Sequence, residues 1–124
     1  MKTKLSIIIG LLVVFGCATS PVGKAYDVLY SAAVIYDTAL TYAGDEYRAG
    51  RISEEEKKMI VAYADRYRLA VRAGQSALRA YKQAELIGDD VSASEKGLRT
   101  ALDVVVAAQG ILTEYIQLSA GGDL

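Results

Sequence analysis

Apolar and aromatic side chains recur at Ala25, Leu29, Ala32, Tyr36, Ala39 and Ala43, in alternating steps of four and three. Steps of that size keep a stripe on one side of a helix, so the pattern predicts a helix over 25–48. Gly50 supplies a stop, and Ser53-Glu54-Glu55-Glu56 reads as a capping box, in which serine and glutamate satisfy opposing backbone amides. A second stripe, Ile60, Ala64, Tyr67, Val71, Gly74, Leu78 and Tyr81, is broadened by Tyr63, Ala70, Ala77 and Ala84 and predicts a helix over 54–87. Gly88-Asp89-Asp90 breaks it. Ser92-Ala93-Ser94-Glu95 then offers another capping box, ahead of Leu98, Leu102, Val105, Ala108, Leu112 and Tyr115, which predict a third helix over 93–119. Val104-Val105-Val106 favours a strand locally, but the flanking periodicity outweighs so short a run.

Three amphipathic helices joined by short turns, each with an apolar face broad enough for two neighbours, predict an all-α fold. Its expected form is an antiparallel three-helix bundle over 25–119, with a frayed end at 120–124. The second helix exceeds the first by about ten residues, or roughly 15 Å. Its far part, Leu78 to Ile87, should lie beside the start of the first helix and needs cover. The third helix, a bend at Gly74, another subunit or a membrane surface would each provide it.

The residues before the bundle follow a different pattern. Lys2 and Lys4 precede Leu5–Phe15, which is apolar apart from Ser6 and Gly10. As a helix that run reaches about 17 Å, short of the roughly 30 Å of bilayer hydrocarbon. A basic start, a short apolar middle and a small residue before a cut point fit a secretory signal. Val14-Phe15-Gly16-Cys17 resembles the lipobox of bacterial lipoproteins, with Phe15 where a smaller residue is usual. The resemblance implies a signal peptide over 1–16, cleavage between Gly16 and Cys17, a diacylglycerol thioether on Cys17 and acylation of its freed amine. Ala18 and Thr19 carry no aspartate retention signal, so the resemblance also implies the outer membrane, facing the periplasm. Residues 17–24, with Pro21 and Gly23, then read as the lipidated cysteine and a short tether that keeps the folded part near the bilayer. A buried free cysteine and a reactive thiol are the alternatives, the second lacking a cationic neighbour to lower its pKa.

Composition narrows the chemistry. The 124 residues include 14 basic and 15 acidic side chains, no histidine, no tryptophan and one cysteine. Without Lys2 and Lys4 the basic count falls to 12, a balance that speaks against a dedicated nucleic-acid binder. A chain without histidine builds neither a His–Cys metal site nor a Ser-His triad. Asp89, Asp90, Ser92 and Glu95 lack the spacing of a calcium loop and read as caps, so no metal is expected. No phosphate-cradling loop or nucleophile motif occurs, and an enzyme is not expected.

Two surface features remain. Arg68, Arg72, Arg79 and Lys82 share one face of a run, Arg66 to Lys82, that contains no acidic residue. They attract anionic lipid headgroups or an acidic partner, or else form a solvated face paired with Asp27, Asp37, Asp103 or Glu114. The one-turn pairs Tyr26 with Tyr30 and Tyr63 with Tyr67, together with Tyr81, suit an interface with protein, sugar or headgroups, and equally the boundary of an alanine-rich core. The stretch Tyr36 to Tyr81, containing "YDTALTYAGDEYRAGRISEEEKKMI", resembles small helical proteins encoded in bacterial and prophage genomes, generally without assigned activity.

The expectation is a non-enzymatic, lipid-anchored interaction or structural module on the periplasmic face of the bacterial outer membrane. It would engage the membrane through its anchor and a protein partner or a second copy, with no nucleic acid and no cofactor beyond the lipid on Cys17. A binding protein for a small apolar or lipid ligand between the helices, and a phage-derived envelope factor acting in lysis or exclusion, are the alternatives.

Overall fold

The computed structural model of the protein describes residues 21–121. The expected signal peptide over 1–16, Cys17 and residues 18–20 and 122–124 lie outside the described residues. The helices are α1 (Pro21–Tyr30), α2 (Ala32–Arg48), α3 (Glu54–Leu86) and α4 (Ser92–Gly121). No strand occurs among the described residues, and the fold is all-α. Ser31 alone separates α1 from α2 and keeps right-handed helical angles, φ −77° and ψ −12°. Its hydroxyl donates to the Asp27 carbonyl at 3.0 Å, a back-bond that perturbs a helix without ending it. The pair α1–α2 therefore serves as one helical arm.

Two expected boundaries and one expected cap change. Residues 21–24 are helical rather than tether: a proline lacks only an amide that the first helical turn leaves unbonded anyway, and Val22 packs against the core. At the other end the inward stripe continues through Ile116, Ser119 and Ala120, so α4 extends through Gly121 instead of fraying at 120. The second capping box does not form. Asp90 Oδ1 accepts from both the amide and the hydroxyl of Ser92, at 2.9 and 2.7 Å, while Glu95 pairs with Arg99 at 2.9 Å. Those two bonds hold the Asp90 carboxyl below its ordinary pKa.

The other signals form as expected. Ser53 Oγ accepts from the Glu56 amide at 3.1 Å, and Glu56 Oε1 accepts from the Ser53 amide at 3.0 Å. Gly50 and Gly88 take φ of 74° and 76°, the left-handed region that closes a helix end without a Cβ penalty. Beside them the Arg51 amide reaches back to the Glu46 carbonyl at 2.9 Å, and the Asp89 amide to the Ala84 carbonyl at 3.0 Å. Each bond satisfies a carbonyl that the helix end would otherwise leave open.

The core draws on every helix, with Val28, Ile35 and Tyr42 meeting Ile60, Tyr67, Leu98, Leu102, Leu112 and Ile116, all fully buried. On the α1–α2 arm Ala25, Ala32, Ala39 and Ala43 line the seam and let the neighbouring backbones approach. Gly74 is part of that closeness, and α3 runs unbroken through it. A Cβ there would stand 3.0 Å from Leu29 Cδ2 and 3.5 Å from Val105 Cγ2. The far part of α3 is covered because α1 starts early. Lys82 donates to the Tyr26 hydroxyl, with its ammonium 4.6 Å from the Tyr26 ring centre, and Tyr81 is buried. Beyond them Leu86 and Ile87 stand exposed.

Candidate functional site

Of the four cations on the shared face of α3, none meets a carboxylate within ion-pair distance among the described residues. The Arg68 guanidinium lies 5.5 Å from the Tyr36 ring centre, Arg79 donates to Ser76 Oγ at 3.3 Å, and Lys82 sits on Tyr26. Arg72 has no hydrogen bond or ion pair among the described residues. Pairing with Asp27, Asp37, Asp103 or Glu114 is thus not how this face is arranged. Aromatic rings and a hydroxyl, which leave the positive charge uncompensated, take the place of carboxylates.

Arg68 and Arg72 border a groove of about 410 Å³ between the α1–α2 arm and α3. Leu29, Ala32 and Val71 give it an apolar floor, Tyr36 and Tyr67 add ring surface, and Asp37 faces it from α2. Arg79 and Lys82 lie farther along α3 and take no part in it. The structure therefore divides the basic face, bringing two of its four members to the groove.

The tyrosine pairs divide as well. Tyr26 and Tyr30 are exposed, whereas Tyr67 and Tyr81 are buried. Tyr63 is half-buried against Tyr115, with ring centres 5.3 Å apart. Of the expected aromatics, Tyr67 alone lines the groove.

The sequence reading missed a set of buried polar side chains. The hydroxyls of Tyr42, Tyr67, Thr113 and Ser119 and both amide atoms of Gln109 are buried with no hydrogen-bond partner among the described residues. Gln109 was within reach of the periodicity. Val105, Gln109, Leu112 and Ile116 continue the steps of four and three, and only the residue type hides the position. Glu46 is likewise buried, with Oε2 2.5 Å from Arg51 Nε and Oε1 3.3 Å from Nη2. That hydrogen bond holds the Arg51 guanidinium above its ordinary pKa.

Burial pushes the Tyr67 phenol above its ordinary value, and does the same for Tyr42 and Tyr115, where Glu46 and Glu56 respectively add to it. The unfolded chain then ionises first, near about pH 10, so stability is held below that pH and lost as pH rises beyond it. Urea denaturation between pH 8 and 11 should show this decline. Tyr67→Phe should make it shallower, and at pH 8 should raise stability by about 1 kcal/mol by removing an unpartnered hydroxyl.

The outer face of α4 carries a different pattern. Val104, Ile111 and Leu118 are exposed at seven-residue intervals, with Gly97 one interval earlier. By length and composition α4 is apolar enough to cross a membrane, and a third of its apolar window is buried inside the fold. Its inner face, Leu98, Leu102, Val105, Leu112 and Ile116, belongs to the core. Among the described residues no group of three or more acidic or cysteine side chains is placed to hold a metal ion. Comparison with protein-family models, with curated proteins and with solved structures finds no match to this chain.

Proposed function

We propose that the protein is a non-enzymatic interaction module, an antiparallel three-helix bundle held at the periplasmic face of the bacterial outer membrane by lipid on Cys17. Support for the antiparallel arrangement comes from paired contacts. Tyr63 meets Tyr115 while Gly74 meets Val105, so α4 descends as α3 ascends, and Leu29 at Gly74 with Tyr36 at Asp65 gives the same sense on the other side. The lipid reading rests on the likeness of Val14-Phe15-Gly16-Cys17 to a lipobox.

The observation that carries the interaction role is the exposed series Val104, Ile111 and Leu118. An apolar repeat every seven residues is the spacing at which one helix packs along another, and the core already uses the opposite face of α4. Small neighbours, Ala107 and Gly110, would let a partner helix come close. One experiment addresses both halves of the proposal. In a bacterial host, lipid labelling should mark the native chain and not Cys17→Ser. A photo-crosslinker at Ala107 should give a discrete protein adduct that Val104→Glu with Ile111→Glu abolishes at unchanged helical content. An unmodified chain with its leader still attached would sink the anchor, and the lack of any discrete adduct would sink the module.

A second reading, a ligand-binding role, is favoured by the groove beside Arg68 and Arg72.

A further inference from the structure

The groove deepens that second reading and does not depend on the lipid anchor. Leu29, which lines it, also lies against Gly74, where a Cβ would stand 3.0 Å from Leu29 Cδ2. The Tyr36 hydroxyl crosses to donate to Asp65 Oδ1 at 2.9 Å, with the Tyr36 ring 5.5 Å from the Arg68 guanidinium. The floor is Leu29, Ala32 and Val71. Tyr67, wholly buried, contributes to the lining, and its hydroxyl has no partner among the described residues.

The charges are divided between the walls. Arg68 and Arg72 stand one turn apart on α3, and Asp37 stands on α2. Neither Arg72 nor Asp37 has a hydrogen bond or ion pair among the described residues. Two long arginine side chains one turn apart on one helix face can converge on a single phosphate, whose oxygens planar donors bind through paired hydrogen bonds. A purely anionic head would also meet the Asp37 carboxylate and be repelled. A head carrying both a phosphate and an ammonium complements both walls, and the apolar floor accepts the first part of a hydrocarbon chain. The volume, about 410 Å³, falls at the small end of ligand sites, roughly 300–1,000 Å³, and suits one chain rather than two.

The geometry points to a binding site for a single-chain phosphoethanolamine amphiphile, with phosphate on Arg68 and Arg72, ammonium on Asp37 and the chain along Leu29, Ala32 and Val71. Its natural source would be a bilayer lipid that has lost one acyl chain. The ligand's methylenes displace water from the floor, and the charged walls fix which way round it lies.

The test uses the full chain held in amphipol, with octyl phosphoethanolamine added below its micelle concentration and methyl NMR following Leu29 and Val71. Saturable shifts at those methyls are expected. Arg68→Gln with Arg72→Gln should weaken binding by at least about tenfold, the low end of losing a single charge-assisted contact. Asp37→Asn should weaken octyl phosphoethanolamine and strengthen octyl phosphate, reversing the native preference between them. All three residues are exposed, so circular dichroism should show unchanged helix content in the variants. Equal affinity for octyl glucoside, or an unaffected double-arginine variant, would overturn the proposal in favour of a merely apolar groove. Equal affinity for octyl phosphate in the native chain would overturn the role of Asp37, and binding of chainless phosphoethanolamine just as tightly would overturn the amphiphile.

Discussion

Leu102→Ala should lower the unfolding free energy by about 2–5 kcal/mol, the range for an aliphatic side chain cut back inside a packed core. Leu102 is 1% exposed and lies one turn from both Leu98 and Val105 on the inner face of α4. The size of the loss follows from what surrounds it. Much of the α1–α2 seam is alanine, which has no side chain to swing into a void, so the cavity would stay open. Against a typical total of about 5–15 kcal/mol for a native domain, such a loss threatens folding altogether. Urea denaturation followed by circular dichroism measures it. A change below about 1 kcal/mol would mean that Leu102 is not packed on all sides.

Gln109→Met should act in the opposite direction, raising stability by about 2 kcal/mol, because it removes a buried donor and a buried acceptor that each cost about 1–3 kcal/mol when unpartnered. Gln109 is 0% exposed, and both its Oε1 and its Nε2 are without partners among the described residues. Methionine keeps the unbranched shape and flexes to fill what the amide occupied. The same denaturation experiment decides it. A loss of stability would show that the amide is satisfied in solution, by a buried water or by a movement of the Thr113 hydroxyl one turn along α4.

Such polar positions mark where sequence reasoning stopped. Spacing alone located the helical segments 25–48, 54–87 and 93–119 and most of the inward stripe, though not the break at Ser31, because Ile60, Ala64, Tyr67 and Val71, or Leu98, Leu102 and Val105, are apolar residues at helical intervals. Residue type misled at Gln109, Thr113 and Glu46, which occupy inward positions with polar side chains. Local capping chemistry was readable at Ser53 and misleading at Ser92. A serine and a glutamate three apart form a box only when no better acceptor precedes them, and Asp90 does. The groove was the least legible feature. Arg68 and Arg72 stood out as charges, but their meeting with Asp37 and Tyr36 across two elements depends on the register between α2 and α3, which no local pattern encodes. The start at Pro21 was obscured for a related reason: proline and glycine read as a tether until Val22 finds a core to join.

The Tyr63–Tyr115 contact has an optical consequence. The chain has no tryptophan, and its one phenylalanine is Phe15, so tyrosine supplies the near-ultraviolet absorption of residues 21–121. Two phenol chromophores 5.3 Å apart and inclined by 55° couple as a chiral dimer, one ring from each of the two longest helices. The molecule thus carries a native gauge of whether its helices are docked, in a spectral band separate from the one that reports whether they are wound.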